Sequence, residues 1–276
     1  MAAPSLLSAC SSTSGSTLEK IENGETIKIA YGDEVPYAYT DNGNVVGAAV
    51  SMYTEVFKQL GADESQFEWV QTEFGNLIKN LGANHDLVVA GMFITPDRCE
   101  NALFADPDYV MPDAMMTLAG NPKGLENLES FVDSDAILGV MKGTSELEYA
   151  TSLGVQEDRI NSQENLDALI RELKADRLDG IALTDVNLRL AAEADPEVEV
   201  GPAFTPVVDG KEQIGAGAAV FQGKDTDLRD KVNEKIKGIV ADEEKWFSIV
   251  KDHSFTKDYY PGTDLTAKSL CGDAYK

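Results

Sequence analysis

The chain has 276 residues, long enough for one large domain or two lobes whose cores hold without a metal or a crosslink. With 23 Lys and Arg against 48 Asp and Glu the net charge is −25, which repels nucleic acid and anionic lipid and excludes both as partners. Two histidines and three cysteines, with neither CxxC nor HExxH, argue against a metal or other cofactor, and the longest apolar run, Leu87 to Ile94, is too short to cross a bilayer.

At the N-terminus, Leu7-Ser8-Ala9-Cys10 has the form of a bacterial lipoprotein cleavage box, in which Cys10 takes the lipid. The stretch before it lacks Lys and Arg and has only Leu6-Leu7 as an apolar core, so a chance cysteine in a tail is the alternative. Ser11 to Thr17 is all Ser, Thr and Gly, and residues 1–19 read as a lipoprotein-type start with a flexible tether. The address implied is extracytoplasmic, with membrane contact only through the Cys10 lipid.

Strand-like and helical segments then alternate, which predicts α/β architecture with parallel sheets covered on both faces. Thr26 to Tyr31 reads as a strand, and Val50, Tyr53, Val56, Phe57 and Leu60 recur at helical spacing before Gly61 closes the helix. Phe67–Val70 is a strand, Asn76–Leu81 a short helix, and Asp86–Gly91 a buried strand. Asp113–Ala119 is extended and ends at the turn Gly120–Gly124. Beyond it come helix Leu125–Val132, strand Ala136–Met141, helix Ser145–Leu153, helix Asn165–Arg177, strand Leu178–Leu183 and helix Asp185–Ala194. Asn165 is a fitting N-cap for a helix whose Leu166, Leu169, Ile170 and Leu173 form one stripe. Val198–Phe204, a turn at 208–211, strand Gly215–Phe221 and helices Leu228–Ile239 and Glu244–Val250 complete the series. Two crossings, near 115 and 214, divide the chain into lobe 1 (20–115 plus 215–276) and lobe 2 (116–214). Cys99 and Cys271 are either two inert buried thiols or, in an exported chain, a pair that clamps the tail from Thr263 onto the body.

The chemistry concentrates in Gly91-Met92-Phe93-Ile94-Thr95-Pro96-Asp97-Arg98-Cys99 and the following Phe104-Ala105-Asp106-Pro107-Asp108-Tyr109. A buried strand followed by Thr95-Pro96 and a helical turn places Arg98 at the sheet edge where open α/β folds bind ligands. A bound carboxylate would compensate a guanidinium there; the bland alternative is an exposed Arg98 paired with Asp97 or Glu100. The runs "ITPDR" and "F-x-x-P-x-Y", with "GVMKGTSE" at 139–146 and "RLDGIALTD" at 177–185, resemble the type II periplasmic substrate-binding proteins of ABC importers over nearly all of 20–276. That resemblance implies a two-lobed fold with two chain crossings, no catalysis, an Arg98 that grips a ligand carboxylate, a permease as partner, and a monomer.

Two positions depart from the amino-acid binders of that family. Phe93 stands where they carry a serine, and Thr184 where they carry an aspartate for the α-ammonium, with Asp185 one place later. An ammonium would lose two partners, at a cost in a buried site. Tyr37, Phe74 and Phe93 end three separate strands and could wall a box for a diffuse cation, with Glu34 as acceptor. Glu34, Tyr37, Phe74, Phe93 and Arg98 together resemble the ectoine- and hydroxyectoine-binding subgroup, as do "AGMFITPDRC" and the late "LCG", which imply a Cys99–Cys271 disulfide. Tyr37 in place of that subgroup's frequent phenylalanine is expected to change little. Thr144, at a helix N-terminus, completes the ligand set from the second lobe. The implied ligand is a small zwitterion; a polar amino acid is the alternative, favoured if Asp185 rather than Thr184 faces the cleft. A dehydratase or sensor on the same fold is a weaker alternative, since no nucleophile–base pairing accompanies the motifs.

Overall fold

The computed structural model describes residues 15–276. Its first helix, α1 (Thr17–Asn23), starts in a reciprocal capping box between Ser16 and Glu19. Thr17 is buried, and its N–H and hydroxyl both donate to Asp225, so residues 17–19 are docked on the body and do not belong to a tether as expected. Cys10 lies outside the described residues.

Strand β1 (Ile27–Tyr31) leads through the hairpin β2 (Tyr39–Asp41) and β3 (Asn44–Val46) into α2 (Ala48–Gln59), then β4 (Phe67–Gln71) and β5 (Leu87–Phe93). β1 runs parallel to both β4 and β5. Helix α2 buries Met52, Tyr53, Val56 and Phe57 over this sheet, each large side chain contributing about 1.5–3 kcal/mol by leaving water. The short α3 (Pro96–Cys99), β6 (Leu103–Phe104) and β7 (Tyr109–Val110) follow before the chain leaves for a second sheet.

That sheet is built from β8 (Asp113–Leu118), β9 (Leu138–Met141), β10 (Ile160–Gln163), β11 (Gly180–Thr184) and β12 (Val198–Val200), in the order β10-β9-β11-β8-β12. It is flanked by α4 (Ser145–Leu153), α5 (Leu166–Lys174) and α6 (Asp185–Glu193). Asn165 caps α5 as expected, accepting from the Ala168 N–H at 2.9 Å, and Leu169 and Leu173 form its buried stripe. After the hairpin β13 (Val207–Val208) and β14 (Lys211–Glu212), β15 (Ala216–Phe221) rejoins the first sheet, whose order is β4-β1-β5-β15-β6. Helices α7 (Thr226–Val240), α8 (Glu243–Val250) and α9 (Ala267–Cys271) close the first lobe. Among the described residues no helix is long and apolar enough to cross a membrane.

Three sequence expectations change. Both sheets are mixed, because β15 enters from the lobe junction beside the end of β5 and runs antiparallel to it, and β8 and β12 are antiparallel to their neighbours. The helix expected at 125–132 is a single 3₁₀ turn, Leu128–Phe131, since the Asn121 side chain ties both backbone groups of Leu125 into the preceding turn. The helix expected at 76–81 is likewise a 3₁₀ turn, here at Phe74–Asn76.

All of β8 pairs within the second sheet, so the outward crossing is Met111–Asp113 and lies ahead of the expected position near 115. The return crossing is Gln213–Gly215, and the two touch where the Met111 N–H donates to the Gly215 carbonyl at 2.8 Å. We place the lobe boundaries at these two adjacent strands.

Candidate functional site

All seven expected ligand residues line one narrow cavity between the two sheets. Lobe 1 contributes Glu34 and Tyr37 from the loop after β1, Phe74 from the turn after β4, Phe93 from the end of β5 and Arg98 from α3. Lobe 2 contributes Thr144 from the cap of α4 and Thr184 from the end of β11. Sheet topology explains the convergence, because β1, β4, β5 and β11 all end at the junction and loops that follow strand ends meet there.

Arg98 is 7% exposed, and its orientation follows from local chemistry. Thr95 caps α3, its hydroxyl accepting from the Arg98 N–H, and Pro96 occupies the first helical position, where its missing N–H costs nothing. The guanidinium donates through Nη1 to the Phe93 carbonyl at 2.7 Å and through Nη2 to the Gly143 carbonyl, in the other lobe, at 2.8 Å. Its carbon lies 5.7 Å from the centre of the Phe74 ring. The expected alternative, an exposed Arg98 paired with Asp97 or Glu100, is not what forms. Beside the arginine the lobes meet backbone to backbone: a Cβ on Gly143, whose φ is +79°, would lie 2.5 Å from the Gly75 Cα. The disulfide Cys99–Cys271, with Cα atoms 5.7 Å apart, fastens α9 to the turn that carries Arg98.

The aromatic walls are held from behind. Tyr109 stacks on Tyr37 with centroids 5.3 Å apart and lies 6.2 Å from Phe93, while its hydroxyl donates to the Gly91 carbonyl at 2.6 Å. Gly91 has φ +65°, and any Cβ there would sit 2.5 Å from the Tyr37 ring, so only glycine lets that ring lie over β5. The Tyr37 hydroxyl matters more than expected. It donates across the junction to Thr184 Oγ1 at 3.0 Å, a bond phenylalanine could not make. Thr184 in turn donates to Asn187 Oδ1, and Asn187 Nδ2 donates to Glu34 Oε1 at 3.0 Å and to the Val35 carbonyl. A chain of four side chains thus spans the lobes and orients the Glu34 carboxyl.

Asp185 faces away from the cavity. Its carboxylate pairs with Arg189 at 2.7 Å and accepts from the Tyr259 hydroxyl at 3.3 Å.

Glu146, Asp113 and Asn187 were not anticipated. Glu146, in the first turn of α4, is 1% exposed and lines the cavity, and Asp113 is buried at the start of β8. Burial, followed by the charge of Glu146, pushes Glu34 up to about 8, with Asn187 and Arg98 pulling the other way. Burial likewise raises Glu146, against the pull of Thr144 and Arg98, and it raises Asp113 with help from Glu146. The lining therefore carries one guanidinium, from Arg98, and two carboxyl groups, from Glu34 and Glu146. Among the described residues no cluster of His, Cys, Asp and Glu is suited to a metal ion.

Comparison with known proteins gives the context. The profile of bacterial extracellular solute-binding proteins, family 3, matches residues 27–249. The chain is 35% identical over 224 residues to the probable amino-acid ABC transporter periplasmic-binding protein y4tE of Sinorhizobium fredii, covering 80% of this chain and 74% of that one. It is 27% identical over 254 residues to the arginine-binding extracellular protein ArtP of Bacillus subtilis, covering 88% and 92%. Among solved structures, EhuB in complex with hydroxyectoine superposes with a TM-score of 0.82 at 27% identity, covering 93% of this chain and 98% of that one.

Proposed function

Since the chain belongs to family 3 of the bacterial extracellular solute-binding proteins, and so serves an ABC importer of amino acids or similar solutes from outside the cytoplasm, we propose that its ligand is a compact zwitterion with a delocalised cation, ectoine or hydroxyectoine. Arg98 takes the carboxylate, Glu34 takes the cation, and Tyr37, Phe74 and Phe93 supply the faces over which diffuse positive charge is stabilised. Thr144 and Thr184 close the site from the second lobe, and the closed form delivers its cargo unchanged to the permease. Cys10 would anchor the chain by lipid.

One observation carries this choice. Thr184 lines the cavity while Asp185 is bound to Arg189 and Tyr259 outside it, so the carboxylate that an α-ammonium requires is missing from that position. The structural likeness to EhuB supports the same reading. A second reading, a basic amino acid, is favoured by Glu146, an added carboxylate in the lining, and by the likeness to ArtP. Calorimetry against ectoine, hydroxyectoine, arginine and glutamine decides between them, and chromatography of the released ligand checks that it leaves unaltered. Ectoine or hydroxyectoine should bind most tightly; tighter binding of either amino acid would replace this reading with the second.

A further inference from the structure

Arg98 sits in a turn that cannot hold its own shape. Helix α3 is four residues long, and a single helical turn is far below the length at which a helix is stable alone. Its local bonds are the Thr95 cap and the backbone bonds from Cys99 to Thr95 and from Glu100 to Pro96. The rest of its order must come from what packs against it.

That support comes from the segment 266–276, which has no part in the lining of the cavity. Cys99, the residue after Arg98, is bonded to Cys271 of α9, and the Glu100 carbonyl, one residue further, accepts from Lys276 Nζ. The segment is itself anchored at both ends. The Ala267 N–H donates to Asp106 at 2.9 Å, and the Lys276 carbonyl accepts from Arg229 Nη1 at 2.7 Å, with the Arg229 guanidinium over the Tyr275 ring. Arg229 is 6% exposed and belongs to α7, so the segment is tied to a long helix of the first lobe. A crosslink between residues 172 positions apart would stabilise the fold wherever it lay. Placed one residue from Arg98, it also limits where the guanidinium can go.

Resting on the assignment of the ligand's carboxylate to Arg98, we propose that the segment 266–276 is a positioning element for that arginine, with Cys271 as its principal residue. It braces α3 from outside the cavity, so that the guanidinium is in place when the carboxylate arrives. Without the brace the turn has to be ordered at each binding event, and the entropy of that ordering lowers the affinity.

The test is a double-mutant cycle of Cys271→Ser and Arg98→Ala in the full chain, read by calorimetry well below each variant's denaturation midpoint. The probe is whichever of ectoine, hydroxyectoine, arginine and glutamine binds most tightly. All four carry a carboxylate, so the cycle does not depend on which of them the cleft prefers, and an amino acid outranking ectoine would end the ectoine reading alone. Cys271→Ser should weaken the ligand about tenfold or more in the unmodified background and less than about threefold once Arg98 is alanine. Hydrogen exchange without ligand should show residues 96–102 of Cys271→Ser exchanging at least about tenfold faster, at times when β1 and β5 are still protected. Unchanged affinity, equal weakening in both backgrounds, or unchanged exchange in the turn overturns the proposal. An Arg98→Ala protein that binds as tightly as the unmodified one would instead fault the carboxylate assignment, and exchange in the turn would still judge the brace. Should Cys271→Ser not fold, the unmodified protein decides under mild denaturant: residues 96–102 should lose protection together with 266–272, and a turn that opens while 266–272 stays protected overturns the proposal.

Discussion

Replacing Arg98 with alanine removes two things at once. The ligand's carboxylate loses its buried partner, a truncation that costs about 2–5 kcal/mol in comparable charge pairs. The lobes also lose the Nη2 bond to the Gly143 carbonyl, 2.8 Å long, which joins the first lobe to the second and contributes about 0.5–1.5 kcal/mol. Together these give about 2.5–6.5 kcal/mol, so the dissociation constant should rise by at least about 50-fold. Arg98→Lys keeps a charge but loses the planar fork, and should fall between the two. Titration calorimetry with ectoine reads all three proteins, and thermal denaturation without ligand shows that the variants are folded. Because Arg98 holds Glu34 and Glu146 down, its removal also raises both carboxyl groups further. An Arg98→Ala protein that keeps its affinity within threefold would refute the assignment of the carboxylate to this residue.

Glu34 titrates at about 8 when folded and near 4.5 otherwise, so its burial disfavours the unliganded fold increasingly as pH climbs from 4.5 to about 8. A bound cation favours the carboxylate, so affinity should increase with pH over the same range, by at most about tenfold per unit; a flat calorimetric profile from pH 6 to 8 would contradict this. Gly143→Ala places a Cβ against the Gly75 backbone at a left-handed φ, and should leave the protein folded while weakening ligand and enlarging the liganded radius of gyration in solution scattering; an unchanged radius and affinity would count against closure at this contact. Cys271→Ser should lower stability by about 2–4 kcal/mol, read as an earlier denaturation midpoint, and an unchanged midpoint would show that the tail is held without its crosslink.

The cavity was legible in the sequence where strand ends and chemistry coincide. Arg98 and Phe93 sit in one short run after a buried strand, and Glu34, Tyr37 and Phe74 follow other strands of the same sheet. Glu146 was not, because an acidic residue in the first turn of a helix is ordinary, and nothing local shows that the α4 N-terminus is buried against another lobe. Asn187 was hidden for a similar reason, three residues beyond Thr184 on α6, with a partner 153 residues away. The outward crossing was misplaced by a few residues because Asp113–Ala119 reads as a strand whichever sheet receives it, and pairing with β11 is a long-range fact. Residues 17–19 looked like tether because Ser and Thr favour both flexible segments and helix caps, and only the contact with Asp225 decides.

If the lobes close on their ligand as proposed, the Gly75–Gly143 contact would act as an end stop. It is backbone against backbone, so no side chain can turn aside to let the lobes travel further or settle short, and the space enclosed at full travel is set by the chain trace alone. Under the function proposed above, a cargo too large for that space would hold Gly143 away from the Arg98 guanidinium and so cost the lobes the bond that joins them there.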